Sequence, residues 1–488
     1  MFSILAQNAA QESVPVTSLI ALLIFSIVFL LVLILKFKLQ AFLALIVVSV
    51  IVSIGATFVN PDQAAGLTEI GQTIVKSMGG ALGFIATIIG IGAIFGAMLE
   101  HSGGTQSLAN TLVRKFGQKK APWAMLLTGF IISIPVFLDV ALVILAPLLY
   151  ALARDTKKSV LVFGLPLVAG MAVTHAFVPP TPGPVAVAYF LNVNLGYVIG
   201  FGVLVGLPTA IICGPFLCSR MAKLVEVTTP TDQGEDLTSE EKKLPSFLQI
   251  ASLIALPIAL ILAGTIVEQS AISGIDPGLT KAERNAQVAD ILNSMPTTNQ
   301  VIHFLGHPVI ALMISTLLAI FFLGISRGTS KEDLVEISTK ALGPAGIIIL
   351  ITGAGGVFKG VLIATGIADA LKEVFIGSPI PIIVLAYIFA TLVRIAQGSA
   401  TVAMLTAAGL MASFVEGFTQ PYLALIACAI AAGATGFSHV NDSGFWMISR
   451  YLGMTEKQTL KTWTVISTAI SLVSFGIILI LSLFIPMK

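Results

Sequence analysis

A chain of 488 residues that is 56% hydrophobic and only 10% charged, with a mean hydropathy of +1.00, is too apolar for a soluble domain of any class. The formal net charge of +2, on basic residues scattered along loops, gives no sign of a nucleic-acid partner, and none is expected. Crossing a bilayer core of about 30 Å takes roughly 20 helical residues. Ten stretches meet that need: 16–35, 39–59, 81–99, 160–191 with a break, 196–217, 247–267, 301–323, 343–362, 422–451 with a break, and 463–485. The first follows Gln7, Asn8, Gln11 and Glu12 and precedes Lys36 and Lys38. That charge order is the reverse of a cleavable leader and predicts a retained span whose amino end lies outside. Cys213, Cys218 and Cys428 fall in or beside predicted spans without metal-type spacing, so buried thiols are expected, with no disulfide, metal or cofactor.

Two further apolar regions, 122–149 and 380–414, are too long for one crossing and too short for two. Arg114, Lys115, Lys119 and Lys120 precede the first, and Arg154, Lys157 and Lys158 follow it. Because basic loops stay in the cytoplasm, 122–149 reads as a re-entrant hairpin entering from that side. The second region then enters from the opposite side. In this topology Lys76, Lys281, Arg284, Lys372 and Lys488 lie outside, Lys359 and Arg394 fall within the membrane, and the other basic residues are cytoplasmic. The polar segments 228–243 and 268–300 are too short for folded domains.

A weak internal repeat runs at an offset of about 263 residues. Gly92-Ala93-Ile94-Phe95-Gly96-Ala97-Met98-Leu99 answers Gly355-Gly356-Val357-Phe358-Lys359-Gly360-Val361-Leu362, and Thr174-His175 answers Ser438-His439. An odd number of crossings in each half inverts the second relative to the first. The fold class expected is an all-α polytopic membrane protein with two inverted halves, 1–225 and 246–488, joined by a cytoplasmic linker at 226–245. Each half has about five transmembrane helices and one re-entrant hairpin. Paired broken helices in inverted repeats are the build of many secondary transporters, with the site near the midplane.

The broken helices and hairpin tips concentrate the polar chemistry. The first break, Val178-Pro179-Pro180-Thr181-Pro182-Gly183-Pro184, cannot continue a helix. Thr174, His175 and Thr181 are its candidate ligands. The second, Ser438-His439-Val440-Asn441-Asp442-Ser443-Gly444, crowds Ser438, His439, Asn441, Asp442 and Ser443 into an apolar span. Asp139 is the sole ionisable residue between Lys120 and Arg154. A carboxyl buried in a bilayer suits proton uptake and release, so Asp139, His175 and His439 are the candidate proton carriers. At the second tip Gln397, Gly398, Ser399 and Thr401 offer side-chain donors and an exposed helix amino end, which favours an anion. Arg394 has two candidate partners, Asp442 or an anionic substrate, and Lys359 stands where the first half has Gly96. His303 and His307 sit four residues apart but lack a third metal ligand, and Glu100-His101 reads as a solvated helix end. A membrane-embedded hydrolase built on His439, Asp442 and Ser443 would lack a nucleophile motif and leave the duplicated break without a purpose.

Val173-Thr174-His175-Ala176-Phe177 with the proline cluster, Thr352-Gly353-Ala354-Gly355-Gly356, Gln397-Gly398-Ser399-Ala400-Thr401, and Phe437-Ser438-His439-Val440-Asn441-Asp442-Ser443-Gly444-Phe445-Trp446 together resemble the gluconate permease (GntP) family of the ion transporter superfamily. The resemblance spans essentially the whole chain. It implies proton-coupled uptake of gluconate or a related small hydroxylated carboxylate across the inner membrane. Carriers of D-serine or glycerate, or sodium-coupled carboxylate carriers, are the alternatives of the same fold. It further implies facing re-entrant hairpins and, by superfamily analogy, elevator-like movement and a homodimer. Thr181 stands where several gluconate carriers have His, and Asp139 where Glu is common.

Overall fold

The computed structural model describes residues 16–61, 66–225, 227, 244–272, 275, 281–367, 369–370, 380–412, 414–415 and 417–487. The polar residues 7–12, the segment 228–243 and Lys372 and Lys488 therefore lie outside the described residues. Nineteen helices are labelled in chain order: α1 Val16–Leu35, α2 Ala41–Val59, α3 Ile70–His101, α4 Gly104–Phe116, α5 Ala121–Ile132, α6 Leu138–Thr156, α7 Leu161–Phe177, α8 Pro182–Leu191, α9 Leu195–Ile211, α10 Phe247–Ile272, α11 Lys281–Ser294, α12 Thr297–Gly306, α13 Pro308–Ala319, α14 Lys331–Ala364, α15 Ile382–Gln397, α16 Ala400–Met411, α17 Gln420–Thr435, α18 Ser443–Tyr451 and α19 Glu456–Ser482. Among the described residues, nine helical segments are long and apolar enough to cross a membrane, and none forms a strand. The protein is an all-helical, multi-pass membrane protein.

The observed helices differ from the sequence expectations where polar residues extend them or proline divides them. α3 begins at Ile70 rather than near 81, so its 32 residues reach about 48 Å, well beyond a bilayer core. The stretch 301–323 is not one helix. His307 has extended φ/ψ and precedes Pro308, the first residue of α13, because a residue before proline is disfavoured in helical geometry. His303 and His307 thus sit on either side of a break, not one turn apart on a single helix. The stretch 422–451 is built from α17 and α18, of 16 and 9 residues, each short of a crossing by itself.

Small residues set the tightest helix crossings, as is usual where lipid removes the hydrophobic drive between helices. α14 lies along α3, with Gly356 against Ala81 and Gly360 against Ser77. α5 lies along α7 with reciprocal glycines: a methyl on Gly129 would strike the Leu167 carbonyl, and one on Gly170 the Leu126 carbonyl. In the second half α15 lies along α17, and Gly433 faces the Tyr387 carbonyl. α8 also packs on α16, and α7, α8 and α9 pack on α17. A bond of 2.8 Å from the Tyr150 hydroxyl to the Tyr451 carbonyl joins α6 to the end of α18.

Candidate functional site

The first break is fully buried from Val178 to Pro184. Thr181 starts α8, and its hydroxyl donates to the Val178 carbonyl at 2.7 Å. α9 presses against the break through Gly202, whose missing side chain leaves room for the Phe177 carbonyl. The Thr174 hydroxyl is committed to the Phe130 carbonyl at 2.7 Å, fastening α7 to α5. The His175 ring meets Phe137 edge-on, with centroids 6.3 Å apart. Its Nδ1 is buried and has no partner among the described residues.

A small recess of about 20 Å³, room for about one water, lies beside this break. Its walls are Ile89, Gly92 and Ala93 of α3, the hairpin tip from Ile134 to Phe137, and Pro180 to Pro182 at the start of α8. Asp139, the second residue of α6, lies within electrostatic reach of His175 and of Glu100. Asp139 lies exposed on the protein surface. It falls in the first turn of α6, where a carboxylate is favoured by the helix dipole.

Glu100 is the residue that the sequence reading passed over as a solvated helix end. It is only partly exposed, and it shares one face of α3 with Gly92 and Gly96, at intervals of four. Gly96 abuts the Pro135 carbonyl, so that face looks at the hairpin tip. The spacing from the repeated glycines was the available signal. Ser133, buried just past the end of α5 with a hydroxyl that has no partner among the described residues, had no sequence signal.

The second break is organised differently. Its backbone turns through Gly436 and a left-handed Phe437, and hydroxyls of α19 supply the partners that an unwound backbone needs at this depth. Phe437 N–H donates to Thr468 Oγ1 and Ser438 N–H to Ser467 Oγ, both at 3.3 Å, while Thr464 Oγ1 donates to the Ser438 carbonyl at 2.5 Å. Trp463 Nε1 donates to Ser438 Oγ at 2.8 Å. Ser438 Oγ in turn donates to Asp442 Oδ2 at 2.5 Å.

Arg394 settles on Asp442. Its Nη2 donates to Asp442 Oδ2 at 2.5 Å, its Nε to the Gly436 carbonyl at 3.1 Å, and its Nη1 to the Gly398 carbonyl. Asp442 Oδ1 accepts from Gly444 N–H at 2.9 Å, capping α18. Asn441 Nδ2 donates to the Ile395 carbonyl at 2.9 Å. His439 Nδ1 bonds to the Phe437 carbonyl at 2.8 Å. With its oxygens engaged by Arg394, Ser438 and Gly444, Asp442 does not orient His439 toward Ser443 as a hydrolytic triad requires.

At the hairpin tip Gly398 is left-handed, with φ +80°, and Ser399 caps α16 by accepting from Val402 N–H at 3.4 Å. Thr401 lies in the first turn of α16, and Ser443 is exposed at the start of α18. Both amide atoms of Gln397 are buried and unpartnered among the described residues. The candidates therefore form two neighbouring clusters. Thr181 lines the recess, with His175 against its Phe137 wall and Asp139 two residues beyond, while residues 394–401 and 438–443 surround the ion pair. Lys359 is in neither: its Nζ donates to the Phe190 carbonyl near the end of α8 at 2.8 Å.

Comparison with known proteins places this architecture among relatives. Residues 18–484 match the model of the GntP family permease. The chain is 37% identical over 445 residues to the inner membrane permease YgbN of Escherichia coli (strain K12), covering 89% of this chain and 92% of that protein. It is 36% identical over 451 residues to a gluconate permease of Bacillus subtilis (strain 168), covering 91% and 94%. Among solved structures it is similar to the YdaH transporter of Alcanivorax borkumensis, with a TM-score of 0.59 at 15% identity over 91% of this chain and 98% of that one. At that identity the likeness is one of fold.

Proposed function

Since this chain belongs to the GntP family of permeases, and so is a transporter rather than an enzyme, we propose that it takes up gluconate or a related sugar acid across the inner membrane in symport with protons. The recess at the amino end of α8 carries this reading. It joins the amino end of α8, whose dipole favours an anion, to Thr181 and to the turn before α6, which is followed by Asp139 and meets His175 of α7 through Phe137. Gluconate permease relatives aligned along nearly the whole chain support the substrate class.

In this proposal residues 1–225 and 246–488 are inverted halves joined by 226–245, and α5–α6 and α15–α16 are re-entrant hairpins from opposite sides. The substrate carboxylate is held by amides at the starts of α16 and α18. Its hydroxyls meet Thr181, Gln397, Ser399, Thr401 and Ser443. Asp139, with His175 or His439, carries the proton. Thr174, whose hydroxyl ties α7 to α5 through the Phe130 carbonyl, holds the fold of the site, whereas the Thr181 hydroxyl, which donates to Val178 within its own turn, borders the recess and keeps its lone pairs for a solute hydroxyl. Asp139 is exposed on the protein surface, and a coupling carboxyl must reach water on each side in turn.

The test is uptake of labelled gluconate into proteoliposomes under an imposed inward proton gradient, with D-serine, glycerate and glucose as unlabelled competitors. Accumulation that is dissipated by a protonophore and lost in Asp139→Asn is the expected result. Uptake that survives collapse of the proton gradient but stops without sodium overturns the coupling, and accumulation of glycerate or D-serine in place of gluconate overturns the substrate.

A further inference from the structure

The Arg394–Asp442 pair does more than neutralise two intramembrane charges. A buried ion pair is favourable only when further hydrogen bonds offset the desolvation of both partners, and here they do. The Arg394 side chain is 4% exposed and that of Asp442 13%. The guanidinium spans three acceptors on two separate segments: Gly398 of the hairpin tip, and Gly436 and Asp442 of the second break. The two segments also interleave, since Gly398 leaves space for the Asn441 carbonyl and Asn441 Nδ2 reaches back to Ile395.

Building on the transporter reading above, we propose that Arg394 is a positioning residue that locks the tip of the α15–α16 hairpin onto the second break, and that it does not bind the transported anion. The lock fixes the amino ends of α16 and α18 relative to each other, so that the two present their amides as one anion-holding unit. A substrate carboxylate at Arg394 would have to displace Asp442, whose oxygens already have Ser438 and Gly444 as further partners. A planar fork with several fixed donors suits this task, and a lysine ammonium cannot reproduce it.

The experiment compares Arg394→Gln, Asp442→Asn, the double variant and Arg394→Lys in the full-length protein. Gluconate KM and Vmax are measured in proteoliposomes, and thermal unfolding in detergent without solute. A lock predicts that each single charge removal lowers Vmax/KM by about tenfold or more. The double variant, with no buried charge left unpaired, should be no worse than the milder single variant. Arg394→Lys should recover most of the unfolding temperature while its KM stays raised about tenfold to a hundredfold, the signature of misplaced amides rather than lost charge. If Asp442→Asn leaves KM unchanged while Arg394→Gln raises it, Arg394 meets the substrate and the proposal is overturned. Additive losses of unfolding temperature in the double variant also overturn it. The unfolding arm contains no solute, so its outcome is independent of whether gluconate is the natural cargo. Should Arg394→Gln fail to fold, Asp442→Asn and Arg394→Lys carry the same comparison.

Discussion

Lys359 of α14 donates from Nζ to the carbonyl oxygen of Phe190 at 2.8 Å and lies 5.9 Å from the centroid of the same residue's ring. Phe190 is the penultimate residue of α8, where carbonyls have no partner within the helix. The cation therefore sits at the negative end of the half-helix whose other end borders the recess.

Replacing Lys359 by Met should cost about 1–3 kcal/mol, because it leaves a buried carbonyl without its charged donor. Lys359→Arg should retain most of that stability. Thermal unfolding in detergent checks both, and equal losses in the two variants would contradict a capping role.

The reciprocal glycines of α5 and α7 should tolerate no side chain. Gly129→Ala or Gly170→Ala is expected to destabilise the protein by about 1–3 kcal/mol, since each added methyl meets a backbone carbonyl that cannot move alone. Gly476→Ala in α19 is the control. It has no heavy atom within 4 Å of the added carbon and should gain about 0.5–1 kcal/mol of helix stability.

Thr174 and Thr401 should separate stability from binding. Thr174→Val removes the bond to Phe130 and should lower stability by about 1–2 kcal/mol with little change in gluconate KM. Thr401→Val, in the first turn of α16, should raise KM several-fold with little loss of stability. Paired uptake and unfolding measurements decide, and a reversed pattern would return Thr174 to the substrate.

Trp463→Phe should cost about 1 kcal/mol through the lost bond to Ser438. Ser438→Ala should cost about 1.5–3 kcal/mol, because the hydroxyl also serves the Asp442 carboxylate. Unfolding of the two single variants and of the double variant tests the chain of bonds, which predicts less than additive loss.

Both breaks were legible because their chemistry is local. The prolines from Pro179 to Pro184 deny amides to a helix, and the polar run from Ser438 to Ser443 has no apolar alternative. The break at His307 was equally legible from Pro308, but the apolar run on either side masked it. The partner of Arg394 was open in the sequence because residues 48 positions apart are brought together only by the packing of α15 on α17. The hydroxyl row of Thr464, Ser467 and Thr468 went unnoticed for a related reason: serine and threonine in a membrane helix usually bond to their own helix, and only the fold shows them facing an unwound neighbour. The exposure of Asp139 depends on which face of α6 its neighbours leave uncovered, which a single sequence does not encode.

Cys213, Cys218 and Cys428 are all buried, with Cys213 and Cys428 each 1% exposed and Cys218 fully enclosed. Thiolate, the reactive form, is disfavoured in such surroundings. The natural protein thus offers a silent background to water-soluble maleimides, and a cysteine introduced at exposed Val440 can be read without first deleting the native three. The same label placed at buried Pro180 should be refused in this conformation and accepted only in one that opens the first break, so the difference between the two positions becomes a direct gauge of which side of the transporter is open.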